Sequence, residues 1–465
     1  MQQVTVGEIV QVTGGRLLSG HLDSTVTGFA TDSRQIKPGD AFVALVGERV
    51  DGHNFVSSVL AGPAVAALVM AVPEELPPRK AVIQVEDTVS ALLKLGAWYR
   101  RRFAVRTVAV TGSTGKTTTK DLIAAALNSK LCTLKNEGNL NTEIGLPLTL
   151  FNLGTQHEAA VVELAMRGPG QIARLAQVAR PEVGVITNVG VTHIEVLGSQ
   201  ENIAAAKGEL LDELPGSGLA ILNGDDPWVR KQAVRSRARV AYYGMGAEVD
   251  FRATGVELLG SEGLRFQVSG PCGKGEVFLP LPGEFNVLNA LAAVAVGHYF
   301  GLELSEIQKG LAAFRPSAMR LNLVKRSDGA LIIDDSYNAN PTSMRGALET
   351  LLQVAKGRRT VAVLGDMLEL GSVAQEAHRE VGRLVARLGV DVLITGGSLA
   401  AGIAAAARGE ATAPKAVFVC ADQEAAAKVA QEEVLPGDVV LIKASRGMRF
   451  ETVVSALSQK GMEGD

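Results

Sequence analysis

The segment "VAVTGSTGKTTTKDLI", residues 108–123, decides the fold of the middle of this chain. Val108–Val110 form a short apolar run that is typical of a buried strand, and Lys116–Leu127 has the composition and the apolar face of a helix. Gly112 and Gly115 lie between them, where glycine permits a sharp turn that brings backbone N–H groups close to an anion. The segment therefore predicts a strand, an anion-binding turn and a helix in direct succession.

The G-x-x-G-K-T spacing of this turn predicts nucleotide phosphate binding. The positive end of the helix dipole points at the turn, Lys116 adds a full charge, and the Thr117 hydroxyl can reach a phosphate-bound metal ion. The residues expected to hold the phosphates are Gly112, Ser113, Thr114, Gly115, Lys116, Thr117 and Thr118. The alternative is an ordinary strand–turn–helix with a surface lysine, but the joint occurrence of strand, helix and Lys-Thr pair favours a phosphate site.

Composition excludes several classes of protein. The chain has 465 residues, of which 47% are hydrophobic, and a net charge of −3, so large cores are expected and a nucleic-acid partner is not. The apolar runs are too short and too often interrupted to span a bilayer, and the N-terminus lacks the pattern of a signal peptide. The three cysteines are far apart and suggest reduced thiols, so we expect a cytoplasmic protein, with a monomer as the default.

Alternating apolar and helical segments predict an α/β protein of about three domains. The expected units are a small N-terminal α/β domain at 1–105, a central domain at 106–316 and a C-terminal domain at 317–465. In the central domain, a doubly wound, mostly parallel sheet should carry the phosphate loop and be followed by a small antiparallel subsheet. The C-terminal domain should be a second, Rossmann-like doubly wound sheet without a phosphate loop.

Polar residues that follow the predicted central strands are candidate metal ligands. Glu163 and His193 each follow an apolar strand, at the sheet edge that also carries the phosphate loop, where a carboxylate can hold Mg²⁺. His193 could equally be a loop cap, because histidine is a less usual Mg²⁺ ligand. Lys207 lies in the helix "IAAAKGELL", and composition alone favours a solvent-facing lysine there.

Candidate ligand-binding residues also occur in the outer domains. Asp334 and Asp335 end an apolar strand and should point to opposite sides, so one of them is expected to face a ligand. Arg320 could clamp a phosphate or pair with a surface acid, and Arg446 could bind a carboxylate or be solvated. In the N-terminal domain Thr31, Asp32, Ser33 and Arg34 form a polar turn, which is either a hairpin connection or a site for a nucleotide sugar.

Several of these segments together resemble the Mur ligases of peptidoglycan synthesis, over nearly the whole chain. They are "TDSRQIKPGDAFVALVGERVDGHNF" (31–55), "TGSTGKTTTKDL" (111–122), "NEGNLNTEIGLPLTL" (136–150), "VVELAMRGPGQI" (161–172), "ITNVGVTHIEVLGSQENIAAAKGELL" (186–211), "DDSYNANPTSMRGALETL" (334–351) and "VLGDMLELG" (363–371). "DDSYNANP" is the most specific of these and is similar to the type that adds a dipeptide. The resemblance implies ATP-dependent joining of D-Ala-D-Ala to a UDP-MurNAc-tripeptide.

The same resemblance implies roles for individual residues. Glu163, His193 and Thr117 would bind two Mg²⁺ ions together with a carbamylated Lys207, and Lys116, Lys207 and His193 would be catalytic. Asn286 and Asn289 would lie on the adenine side, and Arg320 and Asp335 would hold ribose or phosphate. The residues implied for the two other substrates are Thr31, Asp32, Ser33, Arg34, Asn141, Thr142, Asn338, Asn340 and Arg446.

Three other functions remain open at this point. Another ligase of the same superfamily would use a different amine. A P-loop kinase or NTPase would hydrolyse nucleotide without an acyl acceptor, and it would leave the third domain without a role. A nucleotide-sensing scaffold would bind ATP and ADP without turnover.

Overall fold

A computed structural model describes residues 1–47, 50–73, 76–77, 79–192 and 194–460. The chain forms three α/β units in the order that the sequence predicts, each built around its own larger sheet. His193, a predicted ligand, lies outside the described residues.

The N-terminal unit contains a five-stranded sheet in the order β2-β7-β6-β5-β4 and a separate pair, β1 with β3. Its strands are β1 (Val4–Thr5), β2 (Arg16–Ser19), β3 (Thr25–Val26), β4 (Gly28–Ala30), β5 (Asp40–Val43), β6 (Ala66–Val69) and β7 (Ala81–Gln84), and its helices are α1 (Val6–Thr13), α2 (Val56–Ala61) and α3 (Thr88–Arg100). Strands β4 and β5 pair in parallel, so the hairpin interpretation of the polar turn at 31–34 is wrong. Parallel pairing requires the chain to cross back before β5 begins.

The central unit contains a nine-stranded sheet in the order β16-β15-β14-β13-β12-β11-β8-β10-β9. Its strands are β8 (Arg106–Thr111), β9 (Thr133–Lys135), β10 (Ala159–Glu163), β11 (Val183–Ile186), β12 (Leu219–Asn223), β13 (Arg239–Gly244), β14 (Phe251–Leu258), β15 (Leu264–Gly270) and β16 (Gly273–Leu279). Its helices are α4 (Lys116–Leu127), α5 (Gly145–Leu150), α6 (Gln171–Ala179), α7 (Ile194–Leu197), α8 (Gln200–Asp212), α9 (Pro227–Gln232), α10 (Asn286–Tyr299) and α11 (Leu304–Ala312). The predicted antiparallel strands β14–β16 are present, but they extend the parallel sheet because β13 pairs in parallel with β14.

The topology of this sheet places a ligand site at the end of β8. After β8 the chain forms β9 and β10 on one side of it, and then β11, β12 and β13 on the other side. In open α/β sheets, ligands bind beyond the carboxyl ends of the strands at such a reversal of strand order. The phosphate loop follows β8 directly and therefore lies at the reversal.

The C-terminal unit contains a six-stranded sheet in the order β17-β18-β22-β19-β20-β21. Its strands are β17 (Asn322–Lys325), β18 (Leu331–Asp334), β19 (Thr360–Gly365), β20 (Val392–Gly396), β21 (Ala416–Cys420) and β22 (Val439–Lys443), and its helices are α12 (Pro341–Ala355), α13 (Ala374–Arg387), α14 (Ala401–Arg408), α15 (Gln423–Glu433) and α16 (Glu451–Lys460). Only β17 among the described strands of this sheet runs antiparallel to its neighbour. Among all the described helices, none is long and apolar enough to cross a bilayer.

Buried apolar residues run without a break from one unit to the next. One cluster joins the N-terminal sheet and α3 to one face of the central sheet, and another joins the opposite face, including α4 and α10, to α12 and the C-terminal sheet. Burial of such surface contributes roughly 25 cal/mol per Å². The three units therefore pack against one another, and the carboxyl ends of β8 and β18 face a common cleft.

Candidate active site

The two glycines of the phosphate loop meet different steric demands. Gly112 has φ 151° and Gly115 has φ 77°, a region that side chains disfavour. A Cβ at Gly112 would overlap the Thr187 hydroxyl, and one at Gly115 would lie 2.7 Å from Asn289 Oδ1. Both positions thus require glycine, for backbone conformation and for close packing.

The segment that follows β11 holds the phosphate loop in place through hydrogen bonds. Asn188 Oδ1 accepts hydrogen bonds from the backbone N–H and the hydroxyl of Thr114, both at 3.0 Å. The Ser113 N–H donates to the Asn188 carbonyl at 2.9 Å, and the Thr187 hydroxyl donates to the Thr114 carbonyl at 2.6 Å. Thr187 and Asn188 are not among the site residues predicted from the sequence, although they form a polar pair directly after an apolar strand.

Two lysine amines converge on one carbonyl oxygen beneath the loop. Lys116 Nζ donates to the Gly112 carbonyl at 2.9 Å, and Lys207 Nζ donates to the same oxygen at 3.0 Å. The Lys207 side chain is 2% exposed, so the solvent-facing interpretation of this lysine is wrong. Burial, with the Lys116 charge as a second cause, holds the pKa of Lys207 well below its usual range.

Lys116 has a lowered pKa for related reasons. Desolvation by the surrounding protein lowers the pKa of Lys116, the Glu163 carboxylate opposes this effect, and the nearby Arg320 guanidinium adds to it. Arg320 belongs to the segment that enters the C-terminal unit. The positive charge of Arg320 therefore lowers the pKa of a lysine in the phosphate loop.

The buried side chains of Glu163 and Thr117 form an oxygen pair beside the loop, and the half-buried Asn141 contacts it. The Thr117 hydroxyl donates to Glu163 Oε2 at 2.6 Å, and Asn141 Nδ2 donates to Glu163 Oε1 at 2.8 Å. Mg²⁺ prefers oxygen ligands and usually takes one or two from the protein, the rest being water and phosphate oxygens. The residues fit such a site, and the described part of the chain holds no cluster of three or more His, Cys, Asp or Glu side chains that would form an all-protein cage.

The C-terminal unit forms the opposite wall of the cleft, which has a volume of about 1090 Å³. Lys443 is the main buried cation of this wall. Its Nζ donates to Asp335 Oδ2 at 2.5 Å and to the Asn338 carbonyl at 2.9 Å. Asp334 points into the protein, where its carboxylate accepts from Ser336, so the two adjacent acids do face opposite sides. Lys443 is not among the residues predicted from the sequence, where its signal is a lysine that ends an otherwise apolar buried strand.

Most of the predicted site residues line this one cleft. They are Ser113, Thr114, Gly115, Lys116, Thr117, Thr118, Asn141, Thr142, Glu163, Asn289, Arg320, Asp335, Asn338, Asn340 and Arg446. Gly112 and Lys207 lie just beneath the surface of the loop. Asn286 is also buried, and its Nδ2 donates to the Pro282 carbonyl while its Oδ1 accepts from Asn289.

The polar turn of the N-terminal unit is not brought into the cleft. Thr31, Asp32, Ser33 and Arg34 are absent from its lining. Asp32 caps this short turn by accepting from the Arg34 N–H, and it forms an ion pair with the exposed Arg34 side chain. Hydrogen bonds from Arg34 hold the pKa of Asp32 well below its usual range, so this carboxylate is ionised and already paired.

One end of the cleft has an acceptor with no partner among the described residues. Gln353 Oε1 is buried and unpaired, and Gln353 shares the cleft-lining face of α12 with Glu349 and Gly346. The exposed Phe285 ring approaches Gly346 so closely that a Cβ there would lie 2.9 Å from the ring. The cleft along α12 therefore contains both an aromatic surface and an unpaired acceptor, groups that can contact a flat ring and an amine. No pattern in the sequence marks Gln353, because its environment arises from tertiary packing.

Comparison with known proteins identifies the same three units. Residues 25–100 match the Mur ligase family catalytic domain, residues 110–297 the Mur ligase middle domain, and residues 319–446 the glutamate ligase domain of Mur ligases. The UDP-N-acetylmuramoyl-tripeptide–D-alanyl-D-alanine ligase of Bacillus subtilis is 38% identical over 97% of this chain and 98% of its own length. The enzyme of that name from Escherichia coli is 36% identical over 99% of this chain and 100% of its own length.

Solved structures agree with this assignment. A crystal structure of MurF from Acinetobacter baumannii superposes with a TM-score of 0.89 at 33% identity, over 99% of both chains. MurF from Thermotoga maritima, in complex with ADP, gives a TM-score of 0.82 at 30% identity, over 94% of this chain and 98% of its own. With its phosphate loop, its three matched domains and these relatives, the chain belongs to the Mur ligase family.

Proposed function

We propose that this chain is an ATP-dependent ligase that joins D-alanyl-D-alanine to UDP-N-acetylmuramoyl-tripeptide, giving the pentapeptide precursor of peptidoglycan. The observation that carries the proposal is the single cleft in which the phosphate loop and the Thr117–Glu163 pair face Arg320 and Arg446. The names of relatives that match nearly the whole chain support the choice of substrates.

ATP binds with its phosphates on Gly112–Thr118, and its base extends towards α10 and α12. That a relative from Thermotoga maritima was solved in complex with ADP supports nucleotide binding by this chain. Arg320 and Asp335 hold ribose or phosphate from the C-terminal side. Asn289 lies on the adenine side with Asn286 behind it, and Gln353 Oε1 accepts from the exocyclic amine.

Glu163, the Thr117 hydroxyl and His193 would hold Mg²⁺, and a carbamylated Lys207 would supply an oxygen ligand for a second ion. The metal neutralises charge on the phosphates when it is bound. Lys207 suits carbamylation because its lowered pKa favours the neutral amine, the form that adds CO₂. As an ammonium it would compete with Lys116 for the Gly112 carbonyl, whereas a carbamate would attract the Lys116 charge.

The reaction proceeds in two steps on these residues. The substrate carboxylate attacks the γ-phosphate of ATP, and Lys116 stabilises the charge of the transferring group, giving an acyl phosphate and ADP. The amine of D-Ala-D-Ala then attacks the activated carbonyl and phosphate leaves. Arg446 holds the carboxylate of the dipeptide, and closure of the C-terminal wall keeps water from the acyl phosphate.

The remaining substrate contacts are proposals of the same kind. Asn141, Thr142, Asn338 and Asn340 line the cleft where the peptide of the UDP-sugar would reach the phosphate loop. The UDP moiety binds at Thr31–Arg34, outside the cleft, so the sugar and peptide span the space between the two places. Monomeric state and a cytoplasmic location remain predictions.

The decisive experiment is phosphate release with ATP, Mg²⁺ and UDP-MurNAc-tripeptide, in the presence and absence of D-Ala-D-Ala. We expect sustained release only with the dipeptide. Equal release without it would indicate an NTPase, and no turnover in any mixture would indicate a nucleotide-binding scaffold. A panel of amines, including lysine and diaminopimelate, separates the other ligases of the family.

A further inference from the structure

Tyr337 lies between two arginines that the proposed function assigns to different substrates. The Cζ atom of Arg320 is 4.1 Å from the centroid of the Tyr337 ring, and that of Arg446 is 5.8 Å from it. Both distances are within the range of cation–π attraction. All three side chains line the cleft, although they come from the segment before β17, the loop after β18 and the loop after β22.

The backbone around these residues is held in an unusual conformation. Met319 and Leu321, on either side of Arg320, have φ angles of 61° and 51°, a region that costs energy for residues other than glycine. The Tyr337 N–H donates to the Met319 carbonyl at 3.2 Å, and the Leu321 N–H donates to Asp335 Oδ1 at 3.3 Å. The loop that carries Tyr337 therefore fixes the strained segment that presents Arg320.

Arg446 is tied to the same segment. Its Nη1 lies 3.4 Å from Met319 Sδ and donates to Glu451 Oε1 at 3.1 Å. Arg446 and Arg320 carry like charges, and the Tyr337 ring is the neutral surface that both of them contact. Without the ring, the two guanidinium groups would lose the surface that they share.

We propose that Tyr337 is a positioning residue that orients Arg320 and Arg446 together, so that the ATP and dipeptide subsites are set by one aromatic ring. The inference rests on the proposed function. The hydroxyl of Tyr337 is not needed for this role, because the face of the ring makes both contacts. A guanidinium–ring contact at a partly exposed site is worth roughly two- to fivefold in affinity.

The test compares Tyr337→Leu with Tyr337→Phe. We expect the leucine variant to raise KM for ATP and KM for D-Ala-D-Ala together, each by roughly two- to fivefold, with a smaller change in kcat. The phenylalanine variant should retain wild-type values for both. Tyr242→Leu is the matched control, because Tyr242 also stacks with an arginine, Arg230 at 4.5 Å, but does not line the cleft.

Several outcomes would overturn the inference. Unchanged KM values in Tyr337→Leu would show that the ring orients neither arginine, and a phenylalanine variant as impaired as leucine would assign the effect to the hydroxyl. Equal increases in Tyr242→Leu would indicate general destabilisation. If Tyr337→Leu unfolds, Tyr337→Met takes its place, because methionine fills similar space without an aromatic face and should raise both KM values in the same way.

A second measurement separates this inference from the proposed function. Binding of a non-hydrolysable ATP analogue by calorimetry reports on Arg320 without any dipeptide, and we expect weaker binding in Tyr337→Leu than in Tyr337→Phe. In the Arg320→Met background the leucine substitution should cause no further loss, because the ring acts through the arginine. If wild type binds the analogue but never uses D-Ala-D-Ala, the proposed function fails while this arm still tests Tyr337.

Discussion

The two walls of the cleft differ in how the chain builds them. On the central side, one continuous segment from β8 through the loop to α4 supplies the phosphate-binding groups, and its glycines and lysine are neighbours in sequence. On the C-terminal side, three separate segments meet only in the folded domain; they carry Arg320, Tyr337, and Lys443 with Arg446. A site made from one segment is readable as a motif, whereas a site made from several depends on tertiary packing.

Replacing Lys116 tests the continuous wall and should have the largest effect. Lys116→Ala removes the cation that is proposed to face the transferring phosphate, and we expect phosphate release to fall by roughly 10²- to 10³-fold. The assay is release that depends on D-Ala-D-Ala. Lys130→Ala is the control, because Lys130 follows the same helix but only pairs with Glu306 at an exposed site. Activity in Lys116→Ala close to that of the control would contradict the assignment of the loop.

The second prediction concerns the buried amine behind that wall. Lys207→Ala should be nearly inactive and partly restored by short carboxylates, which can occupy the place of a carbamate. Lys207→Arg should not replace it, because a guanidinium does not add CO₂ and remains charged. Carbon-13 NMR of the enzyme in labelled bicarbonate should show a carbamate signal that is absent from both variants. Full activity of Lys207→Ala without added carboxylate would exclude the modification.

The third prediction tests the assembled wall. Lys443→Met leaves Asp335 without its buried partner, and we expect the free energy of unfolding to fall by about 2 kcal/mol, less than for a fully buried pair because Asp335 keeps some exposure. KM for ATP should rise as well, since Asp335 is proposed to hold ribose or phosphate. Lys415→Met is the control, because its ion pair with Asp391 is exposed and should contribute little. Equal unfolding profiles for the two variants would show that the Asp335 pair is not structural.

The same contrast explains what the sequence could predict. The helix Lys116–Leu127, strand β8 and the strand-end position of Glu163 follow from propensity and periodicity within a few residues, and the structure has them. Asn188 supports Thr114 from 74 residues away, and Lys443 meets Asp335 from 108 residues away, so no local pattern announces either contact. Strand β17 has no clear signal in the sequence, because its side chains are mostly half-buried and show no alternation.

In the N-terminal turn, by contrast, a local pattern is present but favours the wrong connection. Thr31–Arg34 has the polar composition of a tight connection, which made a hairpin a reasonable interpretation. The pairing of β4 with β5 is parallel, however, because β5 and β6 lie in a parallel core and are buried along their whole length. Strand direction is decided by the packing of the whole sheet, and the composition of one turn does not predict it.

The smallest predicted effect arises from His378, which holds a loop of the assembled wall. His378 Nε2 accepts from the Met367 N–H at 2.9 Å, and Nδ1 lies 2.6 Å from the Ala374 carbonyl, to which it must donate. The ring is therefore neutral, and burial lowers the pKa of His378, outweighing the opposing effects of Ala374 and Asp366. The segment between these contacts includes Leu368–Leu370, which line the cleft.

The sign of the pH dependence follows from this arrangement. Below about pH 6.5 the unfolded chain binds a proton at His378 that the folded chain resists, so stability should decline as the pH falls through this value. Thermal unfolding of the wild type between pH 5 and 8 should show a loss of a few degrees at the acid end that His378→Gln, which cannot titrate, shows less strongly. If the two curves fall in parallel, the acid sensitivity belongs to other groups. In that case apolar contacts hold the loop at Leu368–Leu370. The C-terminal wall would then depend less on single polar contacts than the Lys443–Asp335 ion pair suggests.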